Sequence, residues 1–89
     1  MTLLSGKVET SDGLPMAWVA VILDPNTDNQ TITLTNNRGE FAFQSQPGKH
    51  RLAVRTFAYQ PYTEDINLTR SGDHKEISLH PTLRKLNYV

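Results

Sequence analysis

The sequence predicts an all-β domain, a seven-stranded antiparallel Greek-key sandwich, on three observations. Apolar residues recur with a period of two in nearly every segment, as they do on strands with one buried face. Turn-forming clusters interrupt these segments at intervals of about ten residues, the spacing of short sandwich strands. No long window shows the three-and-four spacing of an amphipathic helix.

The first strand is read from Leu4, Gly6 and Val8, which alternate with Ser5 and Lys7 before the turn Ser11-Asp12-Gly13. The second is read from Leu14 to Leu23, an apolar stretch with no charged side chain. Val19, Val21 and Leu23 form its inward set, which leaves Trp18, Ala20 and Ile22 as a second apolar face. Either the chain's own tail covers that face, through Leu83, Leu86 or Tyr88, or a partner domain or ligand does. The turn formers Asp24 to Asn29 end the stretch. Thr31 to Thr35 alternates with β-branched residues suited to a pleated surface. Asn36-Asn37-Arg38-Gly39 reads as a hairpin turn, since Asn and Gly accept positive φ cheaply. Phe41 and Phe43 share the core face of a fourth strand, and Gln46-Pro47-Gly48 turns the chain again. His50, Leu52 and Val54 alternate with Lys49, Arg51 and Arg55, whose charges face water. Tyr62, Glu64, Ile66 and Leu68 mark the sixth strand. Ile77 and Leu79 mark the seventh, after the polar loop Arg70 to Asp73. Residues 1–80 are read as the sandwich and 81–89 as a tail or the start of a linker.

The chain has 89 residues. A domain of this size buries roughly 60–65% of the surface its unfolded chain exposes, enough for one modest core. Its formal charge is zero, which argues against nucleic acid or an anionic membrane surface as partner. The absence of cysteine excludes disulfides, thiol catalysis and Cys-based zinc sites. No segment approaches the ~20 apolar residues of a spanning helix, so no direct membrane insertion is expected. Met1 to Leu4 carries no basic region followed by an apolar one. If the native protein is exported, this chain is expected to be a mature piece or an excised domain.

Candidate chemistry is sparse. None of His50, His74 and His80 has a serine or acid partner at a spacing that specifies a triad, and no catalytic residue is assigned. Asp24-Pro25-Asn26-Thr27-Asp28-Asn29 begins like a calcium loop. Asn29 then replaces the glycine of the turn and Thr35 the bidentate glutamate. The loop is read as one whose side chains cap their own backbone, and no metal or cofactor is expected. A sugar-binding surface needs exposed aromatic platforms, and Trp18, Tyr59, Tyr62 and Tyr88 are candidates, with Ile22 beside Trp18. The alternative is that Tyr59 and Tyr62 close one end of the sandwich with their hydroxyls in water.

The order of these elements resembles the carboxypeptidase regulatory-like domains. The resemblance rests on Gly6-x-Val8, Asp12-Gly13-x-Pro15-Met16 and Val19-x-Val21-x-Leu23. It continues through Asn37-x-Gly39-x-Phe41-x-Phe43 and Pro47-Gly48-x-His50-x-Leu52-x-Val54. His50 stands where that family usually has Tyr, and Ala58 stands in place of Gly in its Gly-Tyr step. The resemblance implies an immunoglobulin-like or prealbumin-like (transthyretin-like) sandwich with a non-catalytic, accessory role. Its partners would be other domains of the parent protein or envelope proteins. Leu79-His80-Pro81 followed by Leu86 to Val89 is similar to the join between such a domain and the plug of TonB-dependent receptors of the Bacteroidetes type. That implies a periplasmic N-terminal domain of a nutrient receptor. A carbohydrate-binding module, with a glycan as partner, is the alternative. A small transthyretin-like hydrolase, assembled from His50, Arg51 and His80 across subunits, is a lesser one.

Overall fold

The computed structural model describes residues 2–79. They form seven strands: β1 (Thr2–Thr10), β2 (Ala20–Leu23), β3 (Thr31–Leu34), β4 (Glu40–Ser45), β5 (Gly48–Val54), β6 (Tyr62–Leu68) and β7 (Asp73–Leu79). A three-stranded sheet, β4-β1-β7, faces a four-stranded sheet, β3-β2-β5-β6. The all-β, seven-stranded sandwich read from the sequence is therefore the observed one. The tail from 81 to 89, with Leu83, Leu86 and Tyr88, lies outside the described residues.

The core follows the alternation. Leu4, Val8, Phe41, Phe43 and Ile77 point inward from the first sheet. Val21, Leu23, Leu52, Val54, Ile66 and Leu68 meet them from the second, with Val19 just before β2. The rings of Phe41 and Phe43 lie edge to face, 6.0 Å apart. Gly6 makes this possible, because a Cβ there would stand 2.5 Å from the Phe41 ring and 2.3 Å from the Lys75 carbonyl oxygen.

Three expectations change. Pairing is antiparallel except between β1 and β7, which run parallel with Val8 opposite Ile77. The turn after β6 crosses to the other sheet, so β7 arrives beside β1 in β1's own direction. Asn36 to Gly39 is likewise a corner between sheets and not a hairpin, since β3 and β4 lie in different layers. Asn36 Oδ1 organises it, accepting from the N–H groups of Arg38 and Glu40 at 2.9 Å each. Gly39 sits at φ 79°, where a Cβ would also stand 2.4 Å from the Val8 carbonyl oxygen.

The third change concerns Leu14 to Leu23, of which only Ala20–Leu23 is strand. The preceding half is held by Thr35, which is fully buried. Its hydroxyl donates to the Met16 carbonyl at 2.6 Å and accepts from the Val19 N–H at 2.9 Å. Its carbonyl accepts from the Trp18 N–H at 3.0 Å. Trp18 itself takes a positive φ of 58°, which breaks the strand before Val19.

Thr35→Val keeps the volume but strands the Val19 N–H and the Met16 carbonyl. At roughly 1–3 kcal/mol for an unsatisfied buried group, and less for the part-buried Met16 carbonyl, the expected loss is about 2–4 kcal/mol. Urea unfolding measures it, and an unchanged midpoint refutes the clamp.

Candidate functional site

The two ends of the four-stranded sheet differ in chemistry. β2 and β5 are antiparallel neighbours, with Val21 opposite Val54. The residues before β2 and after β5 therefore emerge at the same end. Trp18 lies there, 67% exposed, and so does Phe57, 94% exposed. Trp18 is solvent-facing as expected, although it precedes the strand instead of standing on its outer face. Ile22 does stand on that face, half-buried, between its strand neighbours Ile32 and Ala53.

Tyr59 and Tyr62 do not join this surface, because both are partly buried against the core. They close the end of the sandwich, as the alternative reading had it. The Tyr62 hydroxyl is not left to water, because it donates to Glu64, which also receives Lys75 Nζ at 3.1 Å. Desolvation, then the Glu64 carboxylate, push the Tyr62 hydroxyl well above its usual range. The hydrogen bonds from Tyr62 and Lys75 hold the Glu64 carboxyl low against its own partial burial. Glu64 on β6 and Lys75 on β7 thus link the two sheets at their open edge. A shallow cleft of about 430 Å³ is lined by Arg55, Thr56, Tyr59, Pro61 and Thr63.

Sequence reasoning passed over Phe57. The signal was its parity with the exposed Lys49, Arg51 and Arg55, although Ala53 of the same parity is buried. Ala58 follows at φ 72°, the conformation for which the resemblance expects glycine.

The opposite end holds a cleft of about 550 Å³ lined by Asp24, Lys49, His50, Arg51, Asp65, Ile66 and Asn67. Asp24 Oδ2 lies 2.7 Å from His50 Nδ1, and Oδ1 accepts the Arg51 N–H at 3.0 Å. The carboxylate that would open a calcium loop is thus engaged by the sheet. His50 Nε2 lies 2.7 Å from the Gln46 carbonyl oxygen. Both ring nitrogens face acceptors, and only the imidazolium can donate to both. Burial opposes that charge, but the Gln46 carbonyl and the Asp24 carboxylate outweigh it and raise the His50 pKa. The His–Asp pair is two thirds of a nucleophile-activating triad, yet its free nitrogen meets a carbonyl instead of a hydroxyl. Arg51 points to the other face of β5 and pairs with Asp65 at 2.8 Å. His80 lies outside the described residues.

A second triad-like set was invisible in sequence because the parallel β1–β7 register creates it. Ser5 Oγ lies 3.1 Å from His74 Nδ1, and His74 Nε2 lies 2.7 Å from Glu76 Oε2. His74 and Glu76 are more than half exposed on a flat sheet face. Neither cleft is lined by them. The arrangement has no walled pocket to position a substrate or exclude water, and it is a surface hydrogen-bond chain.

The carboxypeptidase regulatory-like domain family model matches residues 3–80. Among curated proteins nothing matches. Solved structures with the same fold include 5-hydroxyisourate hydrolase of Klebsiella pneumoniae, with a TM-score of 0.72 and 20% identity over 92% of each chain. A DUF3823 family protein of Parabacteroides merdae gives 0.63 and 19% identity over 91% of this chain and 45% of its own. A type II cohesin–X–dockerin complex of Acetivibrio cellulolyticus gives 0.64 and 15% identity, over 91% of this chain and 58% of the matched one. At these identities the likeness is one of transthyretin-like fold.

The His50 contacts set a pH dependence. Because the folded pKa is raised, the stabilisation is complete below the unfolded value of about 6.5. It is lost as pH rises through the folded pKa. Urea midpoints are expected to fall between pH 6 and pH 9 in the native chain, and the fall to shrink in His50→Phe. Equal pH profiles for the two refute the imidazolium assignment.

Proposed function

The chain belongs to the carboxypeptidase regulatory-like domain family, and from that membership we propose a non-catalytic accessory domain that works through a surface. Its setting is a larger cell-envelope protein, as the periplasmic N-terminal domain of a TonB-dependent nutrient receptor. The observation that carries the surface role is the pair Trp18 and Phe57, both largely exposed at one end of one sheet. Apolar area left in water forgoes roughly 25 cal/mol per Å². Two large aromatics left out of a core this small mark a surface that another molecule covers. The receptor setting is supported by the resemblance of Leu79 to Val89 to the domain–plug join. The interaction role is in keeping with a fold neighbour solved within a cohesin–X–dockerin complex.

The carbohydrate-binding alternative loses two of its platforms, since the Tyr59 and Tyr62 rings pack on the core. The hydrolase alternative drew on His50, Arg51 and His80, and the Ser5–His74–Glu76 chain lies on an exposed face outside both clefts. His50 is held by Asp24 and Gln46, and Arg51 by Asp65.

Two measurements test the proposal. In the full-length parent, Trp18→Ala combined with Phe57→Ala is expected to leave the domain folded by circular dichroism while nutrient uptake falls. Uptake at the native level overturns the role of this surface. The isolated chain is expected to leave 5-hydroxyisourate decaying at its spontaneous rate, and any acceleration that His50→Ala removes overturns the non-catalytic reading.

A further inference from the structure

β3 reverses the usual polarity of a sandwich strand. Its register with β2 places Thr31 and Thr33 on the core side with Val21 and Leu23, and Ile32 and Leu34 on the outer face. Ile32 is 55% exposed and Leu34 56%. β3 is also the last strand of its sheet. The edge strands β4, β6 and β7 show water Glu40 and Gln44, Asp65 and Asn67, and His74 and Glu76. Such polar and charged residues discourage edge pairing. β3 carries no charge, no proline and no bulge.

The backbone of this edge is open. The Thr35 N–H bonds the Val19 carbonyl and the Thr35 carbonyl accepts the Trp18 N–H, so the Thr35 backbone groups face the β2 side. Antiparallel pairs alternate, so Thr33 and Thr31 turn their amides toward β2 while Ile32 and Leu34 turn theirs away from it. Those outward groups have no backbone partner among the described residues.

We propose that β3 pairs antiparallel with β3 of a second copy of this chain, about a two-fold axis at Thr33, joining two four-stranded sheets into one. This register sets Ile32 against the second copy's Leu34, and each such pair exchanges both of its free backbone bonds. The same pairs bring their exposed side chains together on the outer face. The charges match as well. Asp28, in the loop before β3, and Arg38, in the corner after it, each stand five positions from Thr33. Both are exposed, and neither is in an ion pair among the described residues. The two-fold axis brings each Asp28 to the end that carries the other copy's Arg38, so the charge pairing occurs twice, as an isologous contact requires. This inference is independent of the accessory-domain reading, because it rests on the β3 edge and not on Trp18 and Phe57.

Sedimentation velocity from micromolar to millimolar chain tests it. The native chain is expected to form a concentration-dependent dimer, and Ile32→Lys to remain monomeric. Asp28→Arg or Arg38→Asp alone is expected to weaken the dimer about tenfold, since both symmetric ion pairs turn repulsive. The double exchange Asp28→Arg with Arg38→Asp is expected to restore it. A monomer at every concentration overturns the proposal, as does a dimer indifferent to these changes. If Ile32→Lys does not fold, the charge exchanges at the two loop positions carry the same decision.

Discussion

The hydroxyl of Thr35 is the contact on which the shape of the four-stranded sheet depends. It satisfies a buried N–H and a carbonyl of the segment before β2, and so fixes which way Thr35 faces. Every other residue of β3 then follows, because a slip of one position would turn the whole strand over. Apolar patterning alone favours that slip, since it would bring Ile32 and Leu34 inward. Yet the inner positions of β3 are poorly covered: Thr31 is exposed and Thr33 only half-buried. A slip would therefore recover a fraction of the roughly 1.5–3 kcal/mol that full burial of each aliphatic residue can supply. It would also lose two buried hydrogen bonds and seat larger side chains in a close-packed layer. The polar constraint wins, and the exposed aliphatic edge is its consequence.

The same clamp separates the two ends of the sheet. At the Thr35 end, the turn it secures projects Trp18 outward, beside the strand exit that carries Phe57. At the other end Asp24 ties β2 to β5 through both carboxylate oxygens, and His50 extends the tie to the carbonyl of Gln46. That imidazole sits between two acceptors, so both of its ring nitrogens are engaged within the domain. The charged end is thus tied together within the sheet, and the aromatic end carries the exposed residues on which the proposed surface role rests.

Much of this was legible in the sequence. The period of two gave the strands and the inward sets Val19-Val21-Leu23, Phe41-Phe43 and Leu52-Val54, and it kept Trp18 out of the inward set. What periodicity could not supply was which turns cross between layers. Asn36 to Gly39 has hairpin chemistry, but its Asx-type hydrogen bonds serve a sheet-to-sheet corner equally well. The parallel β1–β7 pairing follows from such a crossing, and Ser5, His74 and Glu76 meet only through it. Leu14 to Leu23 misled for a different reason. A strand needs extended backbone as well as apolar side chains, and nothing local announces that Trp18 takes a positive φ. The cause is Thr35, a long-range partner whose burial a Thr-rich edge strand conceals.

Backbone strain adds a final argument about where function lies. Among the described residues, four non-glycine positions have positive φ: Trp18, Asp24, Asn26 and Ala58. Asp and Asn tolerate that region through local hydrogen bonds, and Asp24 is held there by the sheet. Trp18 and Ala58 have no such side-chain compensation, and the left-handed conformation costs a residue of this kind roughly 1–2 kcal/mol. One of them is an exposed aromatic and the other immediately follows one. The aromatic end thus combines unburied apolar area with local strain, both unfavourable to the isolated domain. Stability alone would favour glycine at positions 18 and 58 and a polar side chain at 57. The proposed surface role accords with this, because strained residues cluster where a surface makes contact, and Trp18 and Phe57 stand exposed at this end.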